Sequence, residues 1–330
     1  MPTAMPTIKR ACEEHEKRGY GKYKGPKLSG PRHVIPLGSA AFPKALANIP
    51  RPPECLYAIG NVEALEEGLA VIGARKATPY GRECARHFAG IAAAQGITIV
   101  SGGALGCDSE AHRAALEQGG STVVFLGGGC DCVYPASHYR LFQKIIDSGG
   151  VVASEYEWEY PPLPYGFRER NRLIAGLARA TLIVEAGLPS GTFSTADEAL
   201  AASKDVLVIP GAITSSTSAG SNRLLYQGAT PVVDDETFSD ILFDLFGCLK
   251  MEQIPGSANA PGGLKAIAYR EDPLYQALMA QPMRKEQMLG SVRVPKGEDG
   301  RIWIAVRLAE LEADGLVARY PDGRYGPAKL

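Results

Sequence analysis

Short runs of valine, isoleucine and leucine recur along most of the chain, and each is followed by glycine or serine and then by a helical pattern. The runs do not alternate with polar residues, which is typical of strands buried on both faces of a sheet. This succession predicts an α/β fold, a Rossmann-like and mostly parallel sheet with helices on both faces. The predicted strands are 69–73, 97–101, 122–126, 150–154, 181–185, 205–209 and, more weakly, 230–233, and the predicted helices lie near 80–95, 108–118, 138–147, 171–178, 192–203 and 219–227.

The composition changes on either side of this α/β pattern, which we assign to 51–248. Residues 1–50 are polar and weakly periodic, and we interpret them as a short amino-terminal arm. Residues 249–268 are rich in proline, glycine and serine, as linkers are. Residues 269–330 predict three short helices and a two-stranded wing, hence a small winged-helix-like domain. Its third helix mixes arginine with glutamate, which favours a packing or partner-binding role over DNA reading.

The bulk composition excludes several classes of protein. The chain has 330 residues, with 35 lysines and arginines against 36 acidic residues and a net charge of -1, so any site for a polyanion must be local. Seven scattered cysteines without a signal peptide predict reduced thiols and a cytoplasmic location. No cysteine or histidine spacing fits a metal site, and no apolar run is long enough to cross a bilayer. We therefore expect no metal and no membrane.

Small residues stand at nearly every predicted strand end, where open parallel sheets bind their ligands. Ser101 and Gly102 end the second predicted strand, and Ser190 lies in the loop after the fifth. Glycine lets backbone N–H groups approach an anion, and helix N-termini favour negative charge. The loops therefore predict an anion pocket, above all for phosphate. Neither a full dinucleotide-binding glycine motif nor a Walker motif is present, so we expect no cofactor.

Arginines cluster around this predicted pocket. Arg75 directly follows the first strand. A short polar segment at the start of the helix near 171–178 adds Arg168, Arg170, Asn171 and Arg172. An exposed arginine at a helix start opposes the macrodipole at a cost of about 0.3–1 kcal/mol, so we interpret the cluster as facing an external phosphate. In the alternative interpretation, Arg170 and Arg172 pair inside the fold with Glu155 or Glu185.

An enzyme is the second function that these strand ends allow. Glu185, with Ser190 to Thr192 and Glu198 beyond it, partly resembles the phosphate-binding region of nucleotide phosphoribohydrolases of the lysine-decarboxylase-like group. In that interpretation Glu185 or Glu198 is a catalytic carboxylate. No nucleophile elbow and no Ser/His/Asp order is present, and we interpret His112 and His138 as helix-face or capping residues.

A set of segments in fixed order covers nearly all of 51–233. It includes VIGARKATPYG at 71–81, LGGGCD at 126–131 and, as its most specific part, FRERNRLIAG at 167–176. The set resembles the DprA (Smf) family of DNA-processing proteins. The resemblance implies a protein that is not an enzyme, binds single-stranded DNA, forms homodimers and loads the recombinase RecA during natural transformation and related recombination. It also implies that residues 1–50 are the remnant of a helical domain.

The resemblance also implies which residues contact DNA. By position, those that match the family are Arg75, Ser101, Gly102, Arg170, Asn171, Arg172 and Lys204. We expect bases to stack on Phe167 or Tyr165, since base–aromatic stacking tolerates any sequence; in the alternative, Phe167 packs beneath its helix. The chain departs from the family at Leu105, where a basic residue is common.

Overall fold

The computed structural model describes two compact units, 1–250 and 251–330. In the first, the described residues are Tyr23 and 25–247 without position 189. In the second they are Tyr269, 272–280, 283–292, 294, 299–314, 316–320 and 323–327. The predicted linker 249–268 and the first 22 positions of the predicted arm lie outside the described residues.

The described part of the first unit is built on a nine-stranded sheet with the order β1-β2-β6-β5-β4-β3-β7-β8-β9. All neighbours from β6 to β9 are parallel, whereas β1 pairs antiparallel with β2 and β2 antiparallel with β6. The strands are β1 Arg32–Pro36, β2 Cys55–Gly60, β3 Gly68–Ile72, β4 Ile99–Gly102, β5 Thr122–Phe125, β6 Val151–Ser154, β7 Ala178–Ile183, β8 Asp205–Val208 and β9 Thr230–Pro231.

Helices cover both faces of this sheet, because successive residues of its strands point to opposite sides. On β3, Ala70 and Ile72 join one core cluster and Leu69 and Val71 join another. The first cluster packs against α1, α6, α7 and α8, and the second against α2, α3 and α9. The helices are α1 Lys44–Ala47, α2 Pro79–Ala94, α3 Cys107–Glu117, α4 Tyr139–Asp147, α5 Pro164–Glu169, α6 Asn171–Leu177, α7 Thr192–Ala201, α8 Ala219–Tyr226 and α9 Asp235–Phe246.

The order of the strands places a crevice between the carboxyl ends of β3 and β7. After β3 the chain continues through α2 to β4, whereas β7 leads through α7 to β8 on the other side of β3. Because α2 and α7 pack on opposite faces of the sheet, the loops that precede them diverge at this point. Such a topological switch point is where open α/β sheets bind ligands.

The predicted parallel sheet is confirmed, and each of its seven predicted strands overlaps an observed one. Two further strands, β1 and β2, extend the sheet at its antiparallel edge. β1 and α1 lie within the predicted arm, and buried Phe42, Leu46 and Ile49 from this segment join the core. This part of the arm contributes a strand and core residues to the first unit, and a domain boundary at residue 50 stays a proposal.

The second unit has its own small core, in which Leu274, Met288, Leu308 and Tyr325 are buried. Its described residues form α10 Pro273–Ala280, α11 Lys285–Ser291, α12 Gly300–Ala313 and an antiparallel hairpin of β10 Val317–Arg319 and β11 Tyr325–Pro327. Three helices followed by a hairpin is the arrangement that the sequence predicted for this unit. Arg307 on α12 pairs with Asp272 and Glu310, so this arginine is engaged within the unit.

Candidate functional site

A pocket of about 1190 Å³ opens at the carboxyl ends of β3 and β7. Its charged lining consists of Arg75, Lys76, Arg168 and Arg170 with Asp108 and Glu185. Four cations against two carboxylates give this one region a positive charge in a chain that is near neutral as a whole. The charge is thus concentrated at the place where the sheet topology puts a ligand.

The loop after β3 carries the first two cations. Arg75 and Lys76 are exposed, and neither forms an ion pair within the part of the chain that the structure describes. The loop is held close to α3, because Gly106 has a φ of 81° and a side chain there would collide with the backbone of Ala74 and Arg75. Arg75 is therefore presented to solvent at the mouth of the pocket, as the sequence predicted.

The short helix α5 forms the opposite wall with Phe167 and Arg168. Phe167 is half-buried and contacts two partners: the guanidinium carbon of Arg75 is 5.4 Å from its ring centroid, and the ring centroid of Tyr134 is 5.2 Å away. Arg168 is exposed, and no ion pair to it is found among the described residues. We call Arg75, Lys76 and Arg168 the rim of the pocket. Tyr165, by contrast, pairs its hydroxyl with that of Tyr160 and does not line the pocket.

Arg170 and Asn171 line the pocket from a buried position. Arg170 is only 5% exposed and donates through Nη1 to the carbonyl oxygen of Phe125. Burial lowers the pKa of Arg170 to about 10, an effect that the nearby Asp108 carboxylate opposes and the charge of Arg75 reinforces. The guanidinium remains charged at neutral pH, so it contributes positive potential to the pocket even though it lies beneath the surface.

Arg172 does not line the pocket, contrary to the anion-facing interpretation of the sequence. It is buried, and its Nη2 is 2.5 Å from Oε2 of Glu155, which is also buried. Burial raises the pKa of Glu155, and the Arg172 charge counteracts that rise. The alternative of an internal ion pair is therefore correct for Arg172. We call Arg170, Asp108, Arg172 and Glu155 the buried group.

Ser101 and Gly102 also act inside the fold and not as ligands at the surface. The Ser101 hydroxyl is buried and donates to the carbonyl oxygen of Val71 at 2.6 Å. Any side chain at Gly102 would collide with both Arg170 and Asp108. The sequence predicted that this turn binds phosphate. In the structure the hydroxyl bonds to the neighbouring strand, and the glycine leaves room for the buried guanidinium.

His112 holds the same turn by a hydrogen bond to Gly102. Its Nε2 lies 2.8 Å from the carbonyl oxygen of Gly102 and its Nδ1 lies 2.7 Å from the Thr122 hydroxyl. The ring is fully buried, and burial lowers its pKa to about 4. A neutral imidazole that is hydrogen-bonded on both sides is a structural residue, in agreement with the sequence interpretation.

Hydroxyl groups line the side of the pocket next to α7. Ser190 lines the pocket and accepts a hydrogen bond from the backbone N–H of Thr192 at 3.2 Å. The pocket is also lined by Thr192, Thr195, Ser216 and Thr217. Of these five hydroxyl residues, the sequence implicated only Ser190 and Thr192. Two of these hydroxyls are bonded to each other, since that of Ser190 donates to that of Thr192 at 2.9 Å.

Lys204 lies at the opposite edge of the sheet. It directly precedes β8, and in a parallel sheet the residues before the strands and those after them are on different edges. Its ammonium group is 3.0 Å from the carboxylate of Glu67, which precedes β3. The structure therefore does not bring Lys204 together with the pocket, where the resemblance had placed it.

The two candidate catalytic carboxylates are both engaged. Glu185 is buried and accepts hydrogen bonds from the backbone N–H and the hydroxyl of Thr78, the N-cap residue of α2, whose hydroxyl in turn accepts from the backbone N–H of Gly81. Glu198 pairs with Arg51 at 2.7 Å and does not line the pocket. The start of α2, which the sequence offered to an external anion, is thus occupied by a carboxylate of the protein itself.

Sequence reasoning missed some of the pocket. Lys76 was not selected, although it directly follows Arg75 and could have been found by that adjacency. Tyr134 and Asp108 depend on contacts between distant segments and gave no local signal. Among the described residues there is no cluster of side chains suited to a metal ion, and none of the described helices is long and apolar enough to cross a membrane.

The fold and the pocket together define a doubly wound α/β protein with a locally cationic crevice at its switch point. Residues 33–243 match the family model of DNA recombination-mediator protein A. Protein Smf of Escherichia coli is 39% identical over 88% of this chain and 76% of its own length. A putative DNA processing protein DprA of Mycobacterium tuberculosis is 38% identical over 88% of this chain and 73% of its own.

Solved structures lead to the same family. DNA processing protein A of Streptococcus pneumoniae has a TM-score of 0.58 at 34% identity, over 62% of this chain and 72% of that one. DNA processing protein A of Helicobacter pylori, whose structure describes its single-stranded DNA binding mode, has a TM-score of 0.60 at 31% identity, over 67% of this chain and all of that one. The chain belongs to the DNA recombination-mediator protein A (DprA) family.

Proposed function

We propose that this protein binds single-stranded DNA, with the phosphates of the strand lying against the rim of the pocket. The observation that carries the proposal is the exposure of Arg75 and Arg168 at the switch point without carboxylate partners among the described residues. Guanidinium groups that the protein leaves unpaired are suited to bidentate contacts with phosphate oxygens. Membership of the DprA family and the DNA-binding mode of the Helicobacter pylori relative support the same ligand.

The bases of the strand would stack on Phe167. The ring is half-buried and lines the pocket, where it packs with the Arg75 guanidinium and the Tyr134 ring. Stacking on such a ring contributes about 1–3 kcal/mol per base and does not depend on base identity through hydrogen bonds. Arg170, Asn171 and Ser190 complete the pocket in this proposal, whereas Arg172, Ser101, Gly102 and Lys204 act outside it.

The pocket binds and does not catalyse. This part of the proposal rests on Glu185, whose carboxylate is held by Thr78, and on Glu198, which lies outside the pocket lining. Both carboxylates already serve the fold, Glu185 by accepting from Thr78 and Glu198 by pairing with Arg51. A nucleotide-processing activity of the phosphoribohydrolase type is therefore the less favoured function.

Finer aspects of the function are proposed from membership of the family. We infer that the protein is a cytoplasmic homodimer that protects single-stranded DNA and loads the recombinase RecA during natural transformation and recombination. Two pockets on one strand would raise the effective affinity beyond that of either pocket. The second unit, a proposed winged-helix-like domain, then serves packing or a partner, because Arg307 on its third helix is paired within the unit.

The salt dependence of binding tests the proposal. The full chain is titrated with labelled oligo-dT and with a duplex of equal length at several salt concentrations. We expect tighter binding of the single strand and a log–log slope of roughly −0.7 for each phosphate contacted. Incubation with nucleoside monophosphates gives the second measurement. Release of free base, or affinity for oligo-dT that salt leaves unchanged, would overturn the proposal.

A further inference from the structure

A buried carboxylate stands in the wall of the pocket that is proposed to bind phosphate. Glu185 follows β7, is only 2% exposed and lines the pocket. A negative charge at this place repels the phosphates of a bound strand, so by its charge alone the residue opposes binding. Any benefit that binding draws from Glu185 comes through the part of the protein that it holds.

Glu185 holds both ends of the loop that carries two of the three rim cations. At the start of the loop, its backbone carbonyl oxygen accepts from the N–H of Ala74 at 2.8 Å. At the end of the loop, its carboxylate accepts from the backbone N–H of Thr78 at 3.2 Å and from the Thr78 hydroxyl. Arg75 and Lys76 lie between these two attachments and are exposed. One residue thus fixes the short span that bears both cations.

The same carboxylate connects the loop to the helix that follows. The Thr78 hydroxyl accepts from the backbone N–H of Gly81 at 3.0 Å, in the first turn of α2. The carboxylate is closely packed there, because a β-carbon at Gly81 would lie 2.5 Å from Oε2 of Glu185. Ala77 is buried in the core beside α2. The backbone behind the two cations is therefore anchored.

We propose that Glu185 is a positioning residue for DNA binding, which fixes the loop so that Arg75 and Lys76 face the phosphates. This inference rests on the proposed function, since it assumes that phosphates lie at the rim. Without this attachment, a loop with two adjacent like charges would spread over many conformations, and binding would have to overcome the entropy of ordering it. The repulsion from one carboxylate is thus offset by two cations that are held in place.

Substitutions at Glu185 separate its position from its charge. Glu185→Ala removes both the charge and the side-chain attachment of Thr78, and we expect it to weaken oligo-dT binding about tenfold, as for the loss of one charged hydrogen bond to phosphate. Glu185→Gln removes the charge but keeps a carbonyl oxygen that accepts from Thr78, so we expect an affinity between the wild-type value and about a twofold gain. If the charge alone mattered, both substitutions would tighten binding.

The test measures Glu185→Ala in three backgrounds by fluorescence anisotropy of labelled oligo-dT, on the full chain at low salt. In wild type the loss should be complete. In Arg75→Ala/Lys76→Ala the loop has no cation left to position, so the loss should disappear. In Arg168→Ala the missing cation belongs to α5 and not to the loop, so the loss should persist. Substitutions at independent sites add in free energy, whereas those at coupled sites do not.

Thr78→Val tests the same attachment from its other end, and it replaces Glu185→Ala if that variant does not fold. It keeps the branched shape but lacks the hydroxyl, so we expect a loss of about threefold with the same dependence on background. The matched control is Asp234→Ala. Asp234 also caps a helix, since it accepts from the backbone N–H of Thr237 at the start of α9, and it does not line the pocket. This variant should keep the wild-type affinity.

The outcomes separate this inference from the proposed function. Unchanged or tighter binding by Glu185→Ala, or an equal loss in all three backgrounds, would overturn the positioning role while wild type still binds oligo-dT in a salt-sensitive manner. A loss in Asp234→Ala as large as that in Thr78→Val would overturn it as well, because the loss of a helix cap would then explain the effect. An absence of salt-sensitive binding by wild type would overturn the proposed function itself.

Discussion

Arginine has different roles in the rim and in the buried group. At the rim, Arg75 and Arg168 extend into solvent and have no carboxylate partner among the described residues. In the buried group, Arg172 is fixed by Glu155 and Arg170 by the carbonyl oxygen of Phe125. The difference shows that a cluster of arginines in sequence can divide into ligand-binding residues and residues that hold the binding surface in place.

The buried group has a clear mechanical consequence. Arg170 stands between α5 and α6, where it ends one helix and begins the next, so its fixed guanidinium also fixes the wall that carries Phe167 and Arg168. A buried charge can stay in place only when a partner compensates for its lost hydration. The buried group therefore determines the position of the rim, while the rim supplies the charge that DNA meets.

Breaking the buried ion pair should give the largest effect. Arg172→Ala leaves the Glu155 carboxylate buried and uncompensated, and we expect it to lower the free energy of unfolding by about 3–5 kcal/mol. Urea denaturation measures this loss. The matched control is Arg168→Ala at the rim, for which we expect a change within about 0.5 kcal/mol. Equal destabilisation by both substitutions would abolish the distinction between rim and buried group.

The fold could be predicted from sequence because strand burial leaves a local pattern. Runs such as 122–126 and 181–185 identify the parallel strands without any tertiary information. The sequence did not predict β1 and β2, because neither is followed by a long helix and because they pair antiparallel at the edge of the sheet. The regularity that revealed seven strands thus did not apply to the other two.

The site was predicted less completely, because burial and pairing depend on segments distant in sequence. Arg168 and Arg172 are similar in local context, yet only Arg172 reaches a buried carboxylate, 17 positions earlier in the chain. Nothing local separates these two residues. Lys204 is different: its place directly before a predicted parallel strand already assigns it to the edge opposite Arg75, so topology could have excluded it.

Acid should lower the free energy of unfolding through the buried histidines. Because burial lowers the pKa of His112 to about 4, below its unfolded value near 6.5, the folded state binds fewer protons between these values. Stability is then complete above about pH 6.5 and is lost as the pH falls toward 4, by about 3 kcal/mol for this group. His138, whose pKa burial also lowers, acts in the same direction.

Urea denaturation of wild type and His112→Gln from pH 4 to pH 7 checks this prediction, and the variant should show the flatter profile. His87 serves as the control. The Asp235 carboxylate raises the pKa of His87, so its contribution changes above pH 6.5 and its removal should leave the acid slope unchanged. An equally steep acid slope in His112→Gln would show that the turn at Gly102 does not depend on a neutral imidazole.

Removing a rim cation should reduce DNA affinity without reducing stability. Arg75→Ala deletes a charged donor, for which we expect a loss of about 1.5–3 kcal/mol in binding of oligo-dT and a salt slope shallower by about 0.7. Arg75→Lys retains the charge but not the planar fork, so it should keep the slope and recover part of the affinity. Anisotropy titrations over salt measure both. Unchanged affinity in Arg75→Ala would mean that the rim does not contact the strand.

The smallest effect is expected at Lys204, and it defines how far the cationic surface extends. Its partner Glu67 is partly exposed, so Lys204→Ala should change the free energy of unfolding by less than about 1 kcal/mol. Because Lys204 lies at the amino edge of the sheet, the substitution should leave both oligo-dT affinity and salt slope at the wild-type values. A loss as large as that of Arg75→Ala would require the strand to reach both edges of one sheet, and the rim could then no longer be regarded as the DNA-binding surface by itself.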